Sequence, residues 1–89
     1  MTRKDFEVHE KVLRAVLGKG GRGDRDIAAE IGVEYARNFN KRARRIATDL
    51  YQYLMREEDP KLKIMVWWVH PRWQGWRDND VIQHFKERF

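Results

Sequence analysis

Residues 24–54 read DRDIAAEIGVEYARNFNKRARRIATDLYQYL and contain a short apolar segment, a glycine and a long basic segment in succession. The short segment predicts a helix that Asp24 begins, because the carboxylate of an N-cap accepts a hydrogen bond from the first turn. Its apolar face is formed by Ile27, Ala28 and Ile31. Gly32 predicts the turn that follows, since glycine tolerates the left-handed backbone at which many helices end.

A second helix is predicted from Glu34 or Tyr35 to Leu54, because apolar residues recur there at intervals of three and four positions. They are Phe39, Ala43, Ile46, Leu50, Tyr53 and Leu54. At about 100° per residue the opposite face is polar and mostly basic. That face has Arg37, Lys41, Arg44, Thr48 and Gln52, with Arg45 at its margin. Residues 35–48 contain five cations and no acid, so we expect a strongly positive helix face.

The run IAAEIGV at residues 27–33 resembles the first helix and turn of a helix-turn-helix protein of the winged-helix kind. In that family a small alanine lets the second helix approach and a glycine makes the turn. The resemblance covers residues 24–54. The chain departs from the family pattern at Asn38 and Lys41, where the family usually has apolar residues. The resemblance implies a DNA-binding domain in which a β-hairpin, the wing, accompanies the helix pair.

The composition predicts one small domain, residues 1–89, with a polyanionic partner. Nineteen lysines and arginines against fourteen acids give a net charge of +5. The chain has no cysteine, which excludes disulfides and thiolate metal sites and fits a cytoplasmic location. The longest apolar run, at residues 64–69, is too short to cross a bilayer, so no membrane association is predicted.

The flanking segments predict a mainly α, or α+β, fold. Residues 5–17 have helical periodicity and residues 18–23 form a glycine-rich loop. The acids at 57–59 and Pro60 mark the end of the long helix. Residues 62–70 predict a strand that pairs with residues 72–77 as the wing, and residues 78–89 predict a final short helix. The expected architecture is a helix-turn-helix core, a C-terminal β-hairpin and this last helix.

The predicted site lies on the basic helix face and the wing. Cations on the helix neutralise phosphates or reach guanine edges, asparagines read adenine, and a threonine bonds the DNA backbone. The predicted DNA-binding residues are Arg37, Asn38, Asn40, Lys41, Arg44, Arg45, Thr48, Arg72 and Arg77. The expected function is binding of double-stranded DNA, specific or general, by a small transcriptional regulator.

The tryptophans and the end of the long helix suggest protein contacts. We expect Trp68 in the core, and Trp73 and Trp76 on an exposed wing tip or an interface. A homodimer would pack through Tyr51, Tyr53, Leu54 and Met55 at the end of the second helix. Two alternatives stay open. One is a protein-interaction adaptor or inhibitor that docks through the tryptophan-rich hairpin, and the other is RNA binding with aromatics stacked on bases.

Catalysis has little support in the sequence. The histidines, His9, His70 and His84, lack metal-ligand spacing, and there is no cysteine nucleophile. We therefore predict no enzyme activity, no catalytic residue, no metal and no cofactor.

Overall fold

The computed structural model describes residues 2–32 and 38–89, which form an α+β fold with a small antiparallel sheet. The order of elements is α1, β1, α2, α3, β2, β3, a short 3-10 helix and α4. Their bounds are Arg3–Gly18 for α1, Arg22–Gly23 for β1, Asp24–Ile31 for α2, Phe39–Asp49 for α3, Leu54–Asp59 for β2, Ile64–Val69 for β3, Pro71–Trp73 for the 3-10 helix and Asp78–Arg88 for α4.

The first helix confirms the prediction from its periodicity. Its N-terminus is capped by Thr2, whose hydroxyl oxygen accepts a hydrogen bond from the Asp5 amide at 3.1 Å. Its buried face consists of Val8, His9, Val12, Leu13, Ala15 and Val16. The helix supplies a large apolar surface to the core, against which α2, β3 and α4 pack.

The glycine-rich segment contains a short strand, β1, where the sequence predicted only a loop. Arg22 and Gly23 pair with Trp67 and Val66 of β3. At Gly21 the backbone has φ +75°, and an added Cβ would lie 2.7 Å from the Trp68 ring. Glycine is therefore needed for the chain to approach β3 so closely. A strand of two residues is too short to show the alternation of apolar and polar side chains from which a strand is predicted.

The second helix spans the predicted residues, but Asp24 is not its cap. Gly23, the last residue of β1, occupies the N-cap position, and no side chain there bonds to the helix. The Asp24 carboxylate instead accepts hydrogen bonds from Arg56 of β2 and from the Trp67 indole of β3. Gly32 is the C-cap of α2 and has φ +126°, a backbone conformation that favours glycine, while the predicted turn after it lies outside the described residues.

The basic helix α3 is shorter at its C-terminus than the sequence predicted. Its predicted start at Glu34 or Tyr35 lies outside the described residues. The helix ends at Asp49, a turn follows at residues 50–53, and Leu54 begins β2. The apolar stripe is nevertheless buried as predicted, at Phe39, Ala43, Ile46, Leu50, Tyr53 and Leu54. Residues in the turn and strand after the helix are also buried, and they continue the spacing of three and four positions. The spacing of apolar residues therefore did not show where the helix ends.

The predicted dimer surface at the end of this helix is therefore wrong in part. Tyr53 and Leu54 are only 1% and 2% exposed and belong to the protein's own core. Met55 lies in β2 and pairs with Trp68, while Tyr51 is exposed in the turn before the strand. These four side chains do not form one helical face that a second copy could cover.

The hairpin is formed by β2 and β3, and the sheet order is β1-β3-β2. The acids predicted to follow a helix, residues 57–59, are the last three of β2, because Leu54–Asp59 pairs with Ile64–Val69 in antiparallel register. The predicted strand at 62–70 is confirmed as β3, but its partner is not residues 72–77. Those residues form the 3-10 helix and the lead into α4.

The prediction that Trp68 lies in the core is wrong, and its neighbour Trp67 is the buried tryptophan of β3. Trp67 is fully buried against Phe39, whereas Trp68 is 43% exposed on the outer face of the sheet. Successive residues of a strand point to opposite faces, so only one of the two can face the helices. The hydrogen bond from the Trp67 indole nitrogen to Asp24, at 2.7 Å, fixes which one does.

The last helix is confirmed at residues 78–88, and its buried face contains Val81, Ile82 and Phe85. Its N-cap is Arg77, whose side chain makes no capping hydrogen bond. Asp78 and Asp80 lie in the first turn, where their charge favours the positive end of the helix dipole.

The Asp24 network predicts a large stability effect for Asp24→Ala. The substitution leaves the Arg56 guanidinium and the Trp67 indole without their acceptor in a largely buried place. We expect the free energy of unfolding to fall by about 2–3 kcal/mol. Urea unfolding followed by tryptophan fluorescence measures it. The matched control is Asp26→Ala in the same helical turn, where the side chain is exposed and the change should stay within about 0.5 kcal/mol. Equal effects at the two positions would contradict the network's role.

Candidate nucleic-acid interface

The exposed face of α3 is basic because its apolar stripe fixes the helix against the core. Phe39, Ala43 and Ile46 are buried. At about 100° per residue, the side chains on the opposite side lie within a sector of about 100°. They are Lys41, Arg44, Arg45 and Thr48, all of them exposed, and Arg42 is exposed on one flank. The orientation of the cations thus follows from the packing of three apolar residues.

The cations of α3 are not neutralised by carboxylates of the described residues. Ion pairs elsewhere join Arg3 to Glu7, Arg14 to Glu10, Arg22 to Glu30, Arg56 to Asp24, Arg77 to Asp80 and Lys86 to Glu10. Within residues 2–32 and 38–89, no carboxylate lies within 4.0 Å of the charged nitrogens of Lys41, Arg42, Arg44 or Arg45. Four cations on one side of α3 are thus without an ion pair to a described residue, and the ion pairs named above lie on other elements.

The one acid of α3, Asp49, points to a different partner. Its carboxylate lies 2.9 Å from Nε2 of His9, whose Nδ1 lies 2.6 Å from the Asp5 carbonyl oxygen. His9 is 5% exposed, so this contact joins α1 to the C-terminal end of α3 inside the protein. Both ring nitrogens of His9 thus lie within hydrogen-bond distance of an oxygen atom. Asp49 thus anchors the helix and leaves its cations uncompensated.

Arg45 lies near the beginning of α1, on the margin of the basic face. The pKa of Asp5 is lowered, chiefly by its hydrogen bond with the Thr2 side chain and in smaller part by the charge of Arg45. The influence is electrostatic, since no ion pair within 4.0 Å joins these two described residues. Arg45 keeps its donors available to a ligand.

The structure brings most of the predicted helix residues together. Asn38 and Asn40 are exposed at the beginning of α3, and Lys41, Arg44, Arg45 and Thr48 follow along it. The Thr48 hydroxyl donates to the Arg44 carbonyl at 2.9 Å, which leaves its oxygen free to accept from a ligand. Arg37 lies outside the described residues.

The predicted wing residues do not join this face, because residues 72–77 are not a hairpin. Arg72 lies over the Trp73 ring at 5.1 Å, and Arg77 pairs with Asp80 of α4. Trp73 is buried, and its indole nitrogen donates to the Gln52 carbonyl at 2.6 Å. Trp76 is half-exposed and packs its edge on Trp73. Trp73 is therefore a core residue rather than the exposed interface residue predicted.

A set of packed aromatic side chains joins α4 to the turn at the end of α3. The Tyr53 ring stacks on Trp73 with ring centres 5.2 Å apart, and the Tyr53 hydroxyl lies 2.7 Å from Nδ1 of His84. Burial raises the pKa of Tyr53, so its hydroxyl stays protonated and can donate at neutral pH. The group holds α4 in place and contributes nothing to the basic face.

The sequence interpretation missed two lysines in the loop of the hairpin that follows α3. Lys61 and Lys63 are exposed in the loop between β2 and β3. A shallow groove separates α3 from this hairpin, and its lining includes Arg44, Thr48, Tyr51 and Met65. Asp59-Pro60, between two segments that can form strands, is a turn signal that could have located the loop.

Among the described residues no three histidine or acidic side chains converge as metal ligands, and no described helix has the length and apolar character of a membrane span. Comparison with models of protein families, with curated proteins and with solved structures gives no match to this chain. The function is therefore inferred from the geometry of the described residues.

Because the cations of α3 form no ion pair with a described residue, we expect that their removal leaves the fold intact. In Lys41→Ala and Arg44→Ala no ion pair among the described residues is lost and like-charge repulsion falls, so the free energy of unfolding should change by no more than about 0.5 kcal/mol. Ile46→Ala, on the buried side of the same helix, should lose about 2–4 kcal/mol. Thermal and urea unfolding give both values. A large loss for Arg44→Ala would mean that its guanidinium is a structural group.

Proposed function

We propose that this chain binds double-stranded DNA in the cytoplasm through the exposed face of α3, as a small transcriptional regulator of the winged-helix kind. The observation that carries the proposal is the set of unpaired cations on one face of an amphipathic helix, with Asp49 turned toward His9. A polyanion gains most from such a face, because each phosphate contact releases counterions from the DNA. The winged-helix relationship is supported by a helix pair followed directly by a hairpin.

The dimensions of α3 suit the major groove. An α-helix with side chains is about 10–12 Å across, and the major groove of B-DNA is about 12 Å wide. The helix has 11 described residues and is therefore about 16 Å long, enough to cross several base pairs. Lys41, Arg44 and Arg45 would contact phosphates or guanine, and Asn38 and Asn40 lie at the N-terminal end, which commonly contacts bases.

A protein partner is a second candidate, favoured by the outer face of the sheet. Trp68 is 43% and Ile64 is 47% exposed there, although both are large apolar side chains. Exposed apolar groups that lie close together are typical of protein-binding surfaces. This surface is the β2–β3 hairpin and not the predicted one at residues 72–77. Loss of partner binding in Trp68→Ala, with DNA binding unchanged, would assign a separate role to it.

The DNA proposal predicts a salt-dependent interaction that weakens when cations of α3 are removed. For a mixed-sequence duplex, the logarithm of the association constant should fall linearly with the logarithm of salt concentration. Arg44→Ala and Lys41→Ala should each lower that slope by about 1 and weaken binding to all duplexes alike where the contact is to a phosphate. Fluorescence anisotropy at several salt concentrations measures both quantities.

The matched control is Arg14→Ala in α1, which removes one exposed cation and changes the net charge equally. Its slope should equal that of the unaltered chain, because Arg14 pairs with Glu10 away from α3. Equal effects of Arg14→Ala and Arg44→Ala would show attraction by total charge only and would contradict a site on α3. Tighter binding to duplex RNA or single strands than to duplex DNA would favour the RNA alternative.

A further inference from the structure

A pocket lies between the C-terminal end of α1 and the segment that follows β3. Its volume is about 420 Å³. Small-molecule sites in proteins commonly have volumes of about 300–1,000 Å³. The apolar part of its lining consists of Val16, Leu17, Trp68, Val69 and Pro71, and none of the described lining residues belongs to α3. The pocket is therefore separate from the basic helix face.

Trp68 supplies the aromatic surface of this pocket. The six-membered part of its ring lies against Gly20 and Gly21, where an added Cβ would come within 3.2 Å and 2.7 Å of ring atoms. The two glycines thus leave the space that the ring occupies. Trp68 is nevertheless 43% exposed, so part of its ring is not covered by the protein. A tryptophan that is held in place and partly uncovered can stack on a flat aromatic ligand.

Both sides of the pocket are fixed by backbone hydrogen bonds. The Gly21 amide donates to the Trp67 carbonyl at 2.7 Å, which holds the glycine-rich segment on β3. On the other side, the Gln74 amide donates to the Pro71 carbonyl at 3.0 Å at the end of the 3-10 helix. The pocket is therefore formed before a ligand binds, and little conformational entropy would be lost on binding.

The polar side chains of the lining are Lys19, His70 and Gln74, and all of them can donate hydrogen bonds. No carboxylate of the described residues lies within 4.0 Å of the Lys19 ammonium, and none of the described lining residues is acidic. The Arg72 amide donates to Nδ1 of His70 at 3.1 Å, so a neutral ring has its proton on Nε2. One cation and several donors, without an acid, favour a ligand with a negative charge.

The last turn of α1 also lines the pocket, and its C-terminal carbonyls would by themselves repel an anion. The Arg22 guanidinium offsets this effect. Its Nη2 donates to the Ala15 carbonyl at 2.6 Å, and its Nε donates to the Lys19 carbonyl at 3.0 Å. The Lys19 ammonium adds a second cation at the same end of the helix. The charge beside the pocket is therefore compatible with a bound carboxylate.

We propose that this pocket binds a small aromatic carboxylate, with its ring on Trp68 and its carboxylate on Lys19 and on Nε2 of His70. The inference goes beyond the proposed function, because DNA binding by α3 uses none of these residues. The two parts of the ligand contact different side chains. The contribution of each part can therefore be removed separately, either in the ligand or in the protein.

The experiment titrates the whole chain with 2-naphthoate and, separately, with its uncharged analogue 2-naphthamide, and follows amide and indole N–H signals by NMR. 2-Naphthoate should shift the signals of Gly18, Gly20 and the Trp68 indole. The amide should bind at least fivefold more weakly, because it lacks the charge that Lys19 contacts. This comparison needs no variant, so it stands even where a substitution impairs folding.

Two substitutions then assign the contacts. Lys19→Met keeps the apolar stem of the side chain, and it should weaken 2-naphthoate at least fivefold and make the two ligands bind alike. Trp68→Leu should weaken both ligands at least threefold, because each loses its stacking partner. Thermal unfolding of each variant shows whether its fold is retained.

The matched controls are Lys61→Met, which removes one exposed lysine elsewhere, and Ile64→Ala, which shortens another exposed apolar side chain of β3 outside the pocket. Both should bind 2-naphthoate as the unaltered chain does. Three results would overturn the proposal: no shift at the pocket signals at millimolar 2-naphthoate, equal binding of acid and amide by the unaltered chain, or full affinity in Lys19→Met. Shifts confined to α3 would show a general attraction of anions to its cations and would overturn the proposal as well.

Discussion

The Asp24 carboxylate is the contact on which the arrangement of the remaining elements depends. It begins α2 and accepts hydrogen bonds from Arg56 of β2 and from Trp67 of β3, so one side chain joins a helix to both strands of the hairpin. The Arg56 and Asp24 side chains are only 14% and 19% exposed, and the guanidinium also lies over the Trp67 ring at 5.9 Å. A different packing of these elements would leave one of the two buried charges without its partner. Because an unpaired buried charge is costly, most alternative packings are less stable than this one. The hairpin is thereby held in one position relative to α2.

The second polar contact between distant elements, His9 with Asp49, has the same effect on α3. It lies at the C-terminal end of the helix, and the burial of Phe39, Ala43 and Ile46 fixes rotation about the helix axis. Together these contacts hold α3 in a single orientation, in which its cations face the solvent. The like charges repel one another, so the cost of gathering them is met by the apolar side of the same helix. A surface selected for stability alone would alternate charges of both signs.

The sequence predicted elements that depend on local pattern and missed those that depend on distant partners. The spacing of apolar residues located α1, α2, the buried side of α3 and α4, because a helix buries one stripe of its own residues. The end of α3 was misplaced, since Leu50, Tyr53 and Leu54 fit a helical stripe and are also buried as a turn and a strand. In β3, both tryptophans fit a core position by composition. The choice depends on Asp24, which lies 43 positions away, and no local signal indicates it. Of the site, the helix face could be predicted and the hairpin loop could not, because the loop follows from the strand pairing.

The charge of the hairpin changes sign between the end of β2 and the loop that follows it. Residues 57–59 are all acidic, and Glu57 and Glu58 are exposed beside a helix whose cations would bind the same polyphosphate. The carboxylate of Asp59 is occupied by amides of its own turn, and the next charged side chains are the two lysines. The sign of the charge therefore reverses between Asp59 and Lys61, inside the turn. In the proposed complex with DNA, the carboxylates of β2 would repel the phosphates of a duplex bound to α3, and the two lysines of the loop would attract them.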